Sequence, residues 1–278
     1  HLLTNDSGGY YRDYVHEPHR LLARALGTGF VYQGEPSAHR DGALRGEPSG
    51  HLPPIAFVAF LQNHDQIGNR AFGERIAGLA PWPALKAVQA VLLLAPNVPL
   101  LFMGEEWGAT QPFCFFTDFH VELADAVREG RRREFQKFPQ FASEAARAAI
   151  PDPNDAATFA ASRIDWSVLQ QPDHADWLAY TRDLLRLRRE KIVPLLPTIA
   201  GGGTADVRGS VLQVSWPAGE RRLILLANLA ADPADVAAAP EGTLLFESEP
   251  GLAGTVRRRS MPAWSVLWLL ASGQGRSP

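Results

Sequence analysis

The chain has 278 residues, of which 46% are hydrophobic and 21% charged, a composition typical of globular proteins rather than of disordered or fibrous ones. Its 27 basic and 30 acidic side chains give a net charge of -3, which argues against a protein whose main task is to bind nucleic acid. The one cysteine, Cys114, excludes an intrachain disulfide, and no apolar run approaches the roughly 20 residues that cross a bilayer.

The N-terminal third predicts one helix and one long loop. A helix is expected to begin at Pro18, because leucines and alanines then recur on one face until Gly27 and Gly29 end the pattern. Residues 32–54 are rich in glycine, proline, serine and charge, so they predict a long irregular loop. Loops of that length inside compact domains are usually functional.

Residues 55–103 predict a strand, a helix and a second strand. The continuous apolar run 55–61 predicts a strand buried on both faces, as in a parallel sheet, and 98–103 predicts another. Between them a helix is predicted over residues 83–94. This order is typical of the βαβ unit of α/β folds, in which ligands bind at the C-terminal ends of the strands.

A polar cluster follows each predicted strand. The clusters are Gln62-Asn63-His64-Asp65-Gln66 and Gly104-Glu105-Glu106-Trp107. The Asp65 carboxylate can hydrogen-bond a sugar or stabilise a developing cation, and His64 can donate to a hydroxyl. Asn63, His64 and Asp65 could instead cap loose backbone groups, but their place after a buried strand favours a functional role. For Glu105 and Glu106 the sequence leaves open which faces a pocket and which caps the strand or pairs with an arginine.

The middle of the chain predicts an aromatic loop and two helices. The loop, residues 108–120, holds phenylalanines that could form with Trp107 a stacking wall for a sugar ring, although a core role is favoured for any single one. Helices are predicted over residues 122–138 and 174–191, with an irregular stretch between them. The arginines of residues 128–133 are offset by glutamates, which favours a solvated helix face over a phosphate site.

From residue 193 onward the sequence predicts a small antiparallel β domain. Its predicted strands are residues 211–216, 221–228, 243–246 and 263–270. Residues 272–278 are expected to be disordered. The histidines lack the spacing of a metal site, so neither a metal nor a cofactor is expected.

The segment around the first polar cluster carries a family motif. Residues 57–75 contain F-V-A-F-L-Q-N-H-D-Q-I-G-N-R-A followed by G-E-R. This segment strongly resembles the maltooligosyltrehalose trehalohydrolases, a family of the α-amylase superfamily. In that superfamily N-H-D ends the seventh strand of the barrel, and the extension Q-I-G-N-R-A narrows the resemblance to this family. Four further segments agree with it: residues 9–14, 45–49, 101–107 and 162–166.

The resemblance implies an α/β fold and an activity. Residues 1–192 would form the C-terminal part of a TIM (β/α)8 barrel, with strands seven and eight, and residues 193–278 a small antiparallel β-sandwich. Such enzymes release trehalose from maltooligosyltrehalose by cleaving an α-1,4-glucosidic bond. They retain the anomeric configuration, which requires a nucleophile and a proton donor roughly 5–5.5 Å apart.

The resemblance also implies roles for individual residues. Asp65 matches the third acid of the site, which stabilises the transition state, and His64 matches the histidine that binds the sugar. Further substrate-binding candidates are Asn63, Gln66, Arg70, Glu106 and Trp107.

The motifs of the nucleophile and the proton donor, on barrel strands four and five, have no match in this sequence. The chain is therefore expected to be N-terminally truncated and inactive alone, with the missing N-terminal half of the same protein as its partner. Its ligand would be maltooligosyltrehalose or an α-1,4-glucan, with no nucleic-acid or membrane partner. A cytoplasmic location is expected because no signal peptide is seen. The alternatives are a glycogen branching or debranching enzyme and a non-catalytic α-glucan-binding fragment.

Overall fold

The computed structural model describes residues 1–272 of the chain, which form two compact units. Unit 1 comprises His1–Phe60, Ala80–Leu100 and the chain from Tyr180 onward, and unit 2 comprises Leu61–Leu79 and Leu101–Ala179. The tail predicted to be disordered begins at Ser272, which is the last residue of a strand, and the rest of it lies outside the described residues.

In chain order, the α-helices are α1 (Pro18–Thr28), α2 (His64–Gly68), α3 (Trp82–Leu94), α4 (Val121–Phe135), α5 (Glu144–Ala148), α6 (Ala156–Ala161), α7 (Pro172–Leu187) and α8 (Leu252–Arg257). The strands are β1 (Glu35–Pro36), β2 (Leu44–Arg45), β3 (Val58–Ala59), β4 (Val98–Pro99), β5 (Thr204–Arg208), β6 (Val211–Ala218), β7 (Arg221–Asn228), β8 (Ala234–Asp235), β9 (Thr243–Glu247), β10 (Ser260–Met261) and β11 (Ser265–Ser272). No helix within residues 1–272 is long and apolar enough to cross a membrane.

The predicted βαβ order is confirmed in unit 1. Strands β3 and β4 pair in parallel, with Val58 opposite Val98, and α3 connects them. Helix α3 is buried around most of its circumference, which explains why its sequence is apolar with little amphipathic contrast.

The prediction that residues 55–61 and 98–103 form buried strands over their whole length is wrong. Each has only two residues, and Pro54–Ala56 is a 3-10 helix. Val58 and Val98 are 57% and 42% exposed. Register partners in a parallel pair point to the same face, and within residues 1–272 this sheet has no third strand. The described residues therefore leave part of this apolar surface exposed.

The antiparallel sheet that the sequence predicts from residue 193 onward is confirmed, and it belongs to unit 1. Within the described residues this sheet has five antiparallel strands in the order β5-β6-β7-β11-β9. Trp216 and Trp268 are fully buried in it, with their rings stacked 5.8 Å apart. Val256 of α8 and Met261 of β10 belong to its hydrophobic core. Strand β5 was not predicted, because its side chains are largely exposed and leave no hydrophobic alternation.

Unit 2 contains the predicted helices α4 and the first part of α7. The prediction that residues 139–173 are irregular is wrong in part, because α5 and α6 lie there. The Ser143 hydroxyl caps α5 by accepting from the Ala146 amide, and the Asp155 carboxylate caps α6 by accepting from the Ala157 amide. These helices have five and six residues, too few to show a helical period in the sequence.

Candidate active site

The N-terminus of α2 carries the first polar cluster and is held by a capping box. The Asn63 side chain accepts from the Asp65 amide at 2.7 Å, and the Asn63 amide donates to the Gln66 side chain at 2.9 Å. A helix of five residues cannot stabilise itself, so these bonds compensate for its short length. The side chains of Asn63 and Gln66 thus accept from backbone amides of this turn, and their contact with substrate stays a prediction.

His64 and Asp65 occupy the first turn of α2 and point outward. Their side chains are 69% and 64% exposed, and His64 Nε2 lies 3.4 Å from Asp65 Oδ1. The pair presents an imidazole and a carboxylate side by side, with both free edges open to a ligand. Such a pair can donate to one hydroxyl and accept from another, as sugar binding requires.

Arg131 of α4 holds the other end of α2. Its Nη2 donates to the carbonyls of Gly68 and Arg70, both at 2.8 Å, and its guanidinium lies 5.0 Å from the Phe115 ring centroid. Burial lowers the pKa of this arginine. The expectation of a solvated helix face is therefore wrong for Arg131, although it holds for Arg133, which is exposed.

Arg70 itself, a predicted substrate-binding residue, is half-buried two residues beyond the end of α2. Its Nε lies 3.9 Å from Glu74 Oε2.

The second polar cluster forms the 3-10 helix Glu105–Trp107. Glu105 is 4% exposed, and its Oε2 accepts from the Phe102 amide at 3.1 Å. Burial raises the pKa of this carboxyl to about 7. Glu106 is half-buried, so it is the one of the two glutamates that reaches solvent. The backbone-capping alternative therefore fits Glu105, and contact of Glu106 with substrate stays a prediction.

Arg75 lies fully buried beside the second cluster and was not predicted as a site residue. Its Nε donates to the Gln111 carbonyl at 2.6 Å and its Nη1 to the Met103 carbonyl at 2.8 Å. Burial lowers its pKa, whereas the charges of Glu105 and Glu106 raise it. The sequence signal that could have identified Arg75 was its position in the G-E-R that closes the family motif.

Trp107 is only 2% exposed and packs in the core of unit 2 with Ala109 and Val168. Its ring lies 4.9 Å from that of Trp166, which is 64% exposed. The core role that the sequence left open for Trp107 fits this burial, and its contact with a sugar stays a prediction. The indole that solvent reaches belongs to Trp166, in the segment 162–166 that carries the family resemblance.

Comparison with known proteins identifies relatives over most of the chain. A family model described as a domain of unknown function, DUF3459, matches residues 200–268. The malto-oligosyltrehalose trehalohydrolase of Deinococcus radiodurans is 40% identical over 237 residues, which cover 84% of this chain and 38% of that protein. The enzyme of the same name from Mycobacterium tuberculosis is 31% identical over 255 residues, with coverages of 88% and 41%.

A crystal structure of a candidate alpha amylase from Salmonella typhimurium is similar throughout. It is 41% identical with a TM-score of 0.88, covering 98% of this chain and 44% of that one. The chain thus spans about two fifths of the length of the curated relatives it matches. It belongs to the maltooligosyltrehalose trehalohydrolase family of the α-amylase superfamily and corresponds to a C-terminal portion of those proteins.

Proposed function

We propose that the protein to which this chain contributes is a glycoside hydrolase that releases trehalose from maltooligosyltrehalose. The reaction would be a retaining cleavage of an α-1,4-glucosidic bond. The exposed His64–Asp65 pair at the start of α2 carries this proposal, because it presents donor and acceptor groups within the family's motif. The names of the relatives support the substrate.

In this proposal Asp65 is the third acid of the site. An ionised carboxylate that accepts from sugar hydroxyls stabilises the positive charge that develops in an oxocarbenium-like transition state. His64 donates to a hydroxyl of the same sugar, and Asn63 and Gln66 hold the turn that presents both side chains. Arg70, Glu106 and Trp107 stay as predicted substrate-binding residues.

We also propose that residues 1–192 are the C-terminal part of a TIM (β/α)8 barrel, with β3 and β4 as its last two strands. The parallel pairing through α3 and the uncovered apolar face of the pair support this. Residues 193–278 would be the C-terminal β-sandwich domain. The DUF3459 match and the antiparallel sheet support that assignment.

We further propose that the nucleophile and the proton donor belong to another portion of the full-length protein. No segment of these 278 residues matches the family's nucleophile or proton donor, so the chain alone is expected not to turn over substrate. The remaining portion of the same protein would supply both carboxyls. Two strands alone cannot close an eight-stranded barrel, which is a further reason to expect that the remaining portion of the protein pairs with them.

A chimera tests the function directly. In it, this chain replaces the region that it matches in the Salmonella typhimurium protein, and the products from maltooligosyltrehalose are separated by chromatography. We expect free trehalose. Transferred or debranched glucan in its place would contradict the proposal and favour a branching or debranching enzyme.

The exposed indole of Trp166 favours a second candidate, a non-catalytic α-glucan-binding surface. That function predicts that the 278-residue chain binds maltooligosaccharides in calorimetric titration without cleaving them. The affinity for maltooligosaccharides would fall in Trp166→Ala and would be unchanged in Asp65→Asn. A chimera that releases trehalose and depends on Asp65 would exclude this candidate as the main function.

A further inference from the structure

We propose that Glu105 is a positioning residue for the His64–Asp65 pair, acting through Gln62 and holding the pair more firmly when its carboxyl is ionised. The proposal deepens the proposed function and rests on it only for the use of Asp65 in sugar binding. The link joins the two polar clusters, and all of its residues lie in unit 2.

The first step of the link is the Glu105 carboxyl. It accepts from the Phe102 amide at 3.1 Å, and a hydrogen bond from the Gln62 side chain lowers its pKa against the larger effect of burial. The backbone around it is fixed as well, because Trp177 Nε1 donates to the Glu105 carbonyl at 2.9 Å. The carboxyl therefore has little freedom to move.

The second step is the side-chain amide of Gln62, which is also buried. Its Oε1 accepts from the Ile76 amide at 3.0 Å, which leaves its NH2 group to donate to Glu105. The amide is thus held from both ends. Because Gln62 directly precedes Asn63, its position sets where the capping box of α2 begins and where Asp65 points.

The third step is the charge of the carboxyl. Burial raises the pKa of Glu105 to about 7, so its charge changes near neutral pH. The charged groups that act on it are Arg75 and Glu106, and His174 bonds the Trp107 carbonyl of the same 3-10 helix. Hydrogen bonds to an ionised acceptor are roughly twice as strong as neutral ones. Ionised Glu105 therefore holds Gln62 firmly, and protonated Glu105 holds it weakly.

Backbone amide chemical shifts test this link without any sugar. The 278-residue chain is labelled with nitrogen-15, and the amide signals of Phe102, Ile76 and Asp65 are followed from about pH 5 to about pH 9. The series is run in a His64→Gln background, so that the imidazole beside Asp65 does not contribute to the Asp65 signal. We expect all three signals to shift with one common midpoint near neutral pH.

Three variants separate the link from a merely structural role. Glu105→Gln keeps the size and the acceptor oxygen but cannot ionise, so all three signals should lose their titration while the other signals stay in place. Gln62→Met should keep the titration of Phe102 and remove that of Ile76 and Asp65. Glu122→Gln, which changes an exposed carboxyl of α4, should leave every titration unchanged.

Two results would overturn the proposal: an Asp65 signal that stays flat while Phe102 titrates, or titrations that persist in Glu105→Gln. Either result would leave the trehalose-releasing activity untouched, since that activity is measured separately on the chimera. Conversely, a chimera that releases no trehalose would not affect the amide titrations.

Discussion

At the scale of single residues, Asp65 and Glu105 show how surroundings decide what a carboxyl does. Asp65 stands in solvent at the first turn of a helix, where a carboxylate stays available to a ligand. Glu105 is buried against backbone and amide donors, so its charge costs free energy. The exposed Asp65 is suited to contact substrate, and the buried Glu105 is suited to support the residues that make this contact.

The buried carboxyl makes stability depend on pH. Burial raises the pKa of Glu105 from 4.5 in the unfolded chain to about 7, so the folded state keeps a proton that the unfolded state releases between these values. The stability from the neutral carboxyl is complete below 4.5 and is lost as pH rises through 7. Because one pKa unit corresponds to about 1.4 kcal/mol, the free energy of unfolding should fall by roughly 3 kcal/mol.

Urea denaturation of the wild type and of Glu105→Gln at both ends of this range measures the effect. The wild type should lose stability relative to the variant as pH rises. Parallel stabilities at the two pH values would show that the carboxyl does not titrate as described.

Arg131 is expected to stabilise α2 through two carbonyls. Arg131→Met removes its hydrogen bonds to Gly68 and Arg70 and leaves polar groups unpaired, which should lower the free energy of unfolding by about 1–3 kcal/mol. Hydrogen exchange of the α2 amides should become faster. Arg133→Met, two positions away and exposed, is the matched control and should stay near the wild type. Equal losses in both variants would refute the specific role of Arg131.

At the scale of elements, α2 is too short to persist by its own hydrogen bonds and is held at both ends. Asn63→Ala removes the cap and should cost about 1 kcal/mol of stability. Asn69→Ala changes an exposed amide at the other end of the same helix and should cost much less. Thermal denaturation of the two variants gives the comparison, and an equal cost would argue against the capping role.

The loop between α2 and α3 requires glycine at one position. Gly73 has a φ of +66°, and a Cβ there would lie 2.6 Å from the Phe113 carbonyl. Gly73→Ala should therefore destabilise unit 2 by at least about 1–2 kcal/mol. Gly78→Ala, in the same segment, has open space and no such backbone conformation. A Gly73→Ala variant as stable as Gly78→Ala in urea denaturation would contradict this packing.

Much of the secondary structure could be predicted from the sequence, and the exceptions have physical causes. Helix α4 is long enough to show its hydrophobic period, and helix α3 and strands β6 and β7 are long apolar segments bounded by turn residues. The length and burial of strand β3 were overestimated, because within the described residues its sheet has no third strand and Val58 stays exposed. In the candidate site, the motif predicts functional roles for His64 and Asp65, and the structure adds that both side chains are exposed. The roles of Arg131 and Arg75 were not, because the carbonyls that they bind lie far away in sequence.

At the scale of the whole molecule, the described residues hold one exposed pair of the candidate site and two units, each with its own core. On the proposal that another portion of the protein supplies the nucleophile and the proton donor, the chain by itself should release no trehalose from maltooligosyltrehalose. A chromatographic assay on the purified chain measures this. Turnover that disappears in Asp65→Asn would show that the chain carries a complete catalytic set.

We propose that Asp65 stabilises the transition state of a trehalose-releasing hydrolase. The most direct test is kcat/KM of the chimera for maltooligosyltrehalose, with and without Asp65→Asn. We predict a fall on the order of 10²–10³-fold, the magnitude that loss of one preorganised electrostatic group causes. Asp232→Asn, which changes an exposed carboxyl between β7 and β8, should leave the value unchanged. A chimera that keeps kcat/KM within about twofold after Asp65→Asn would contradict the claim.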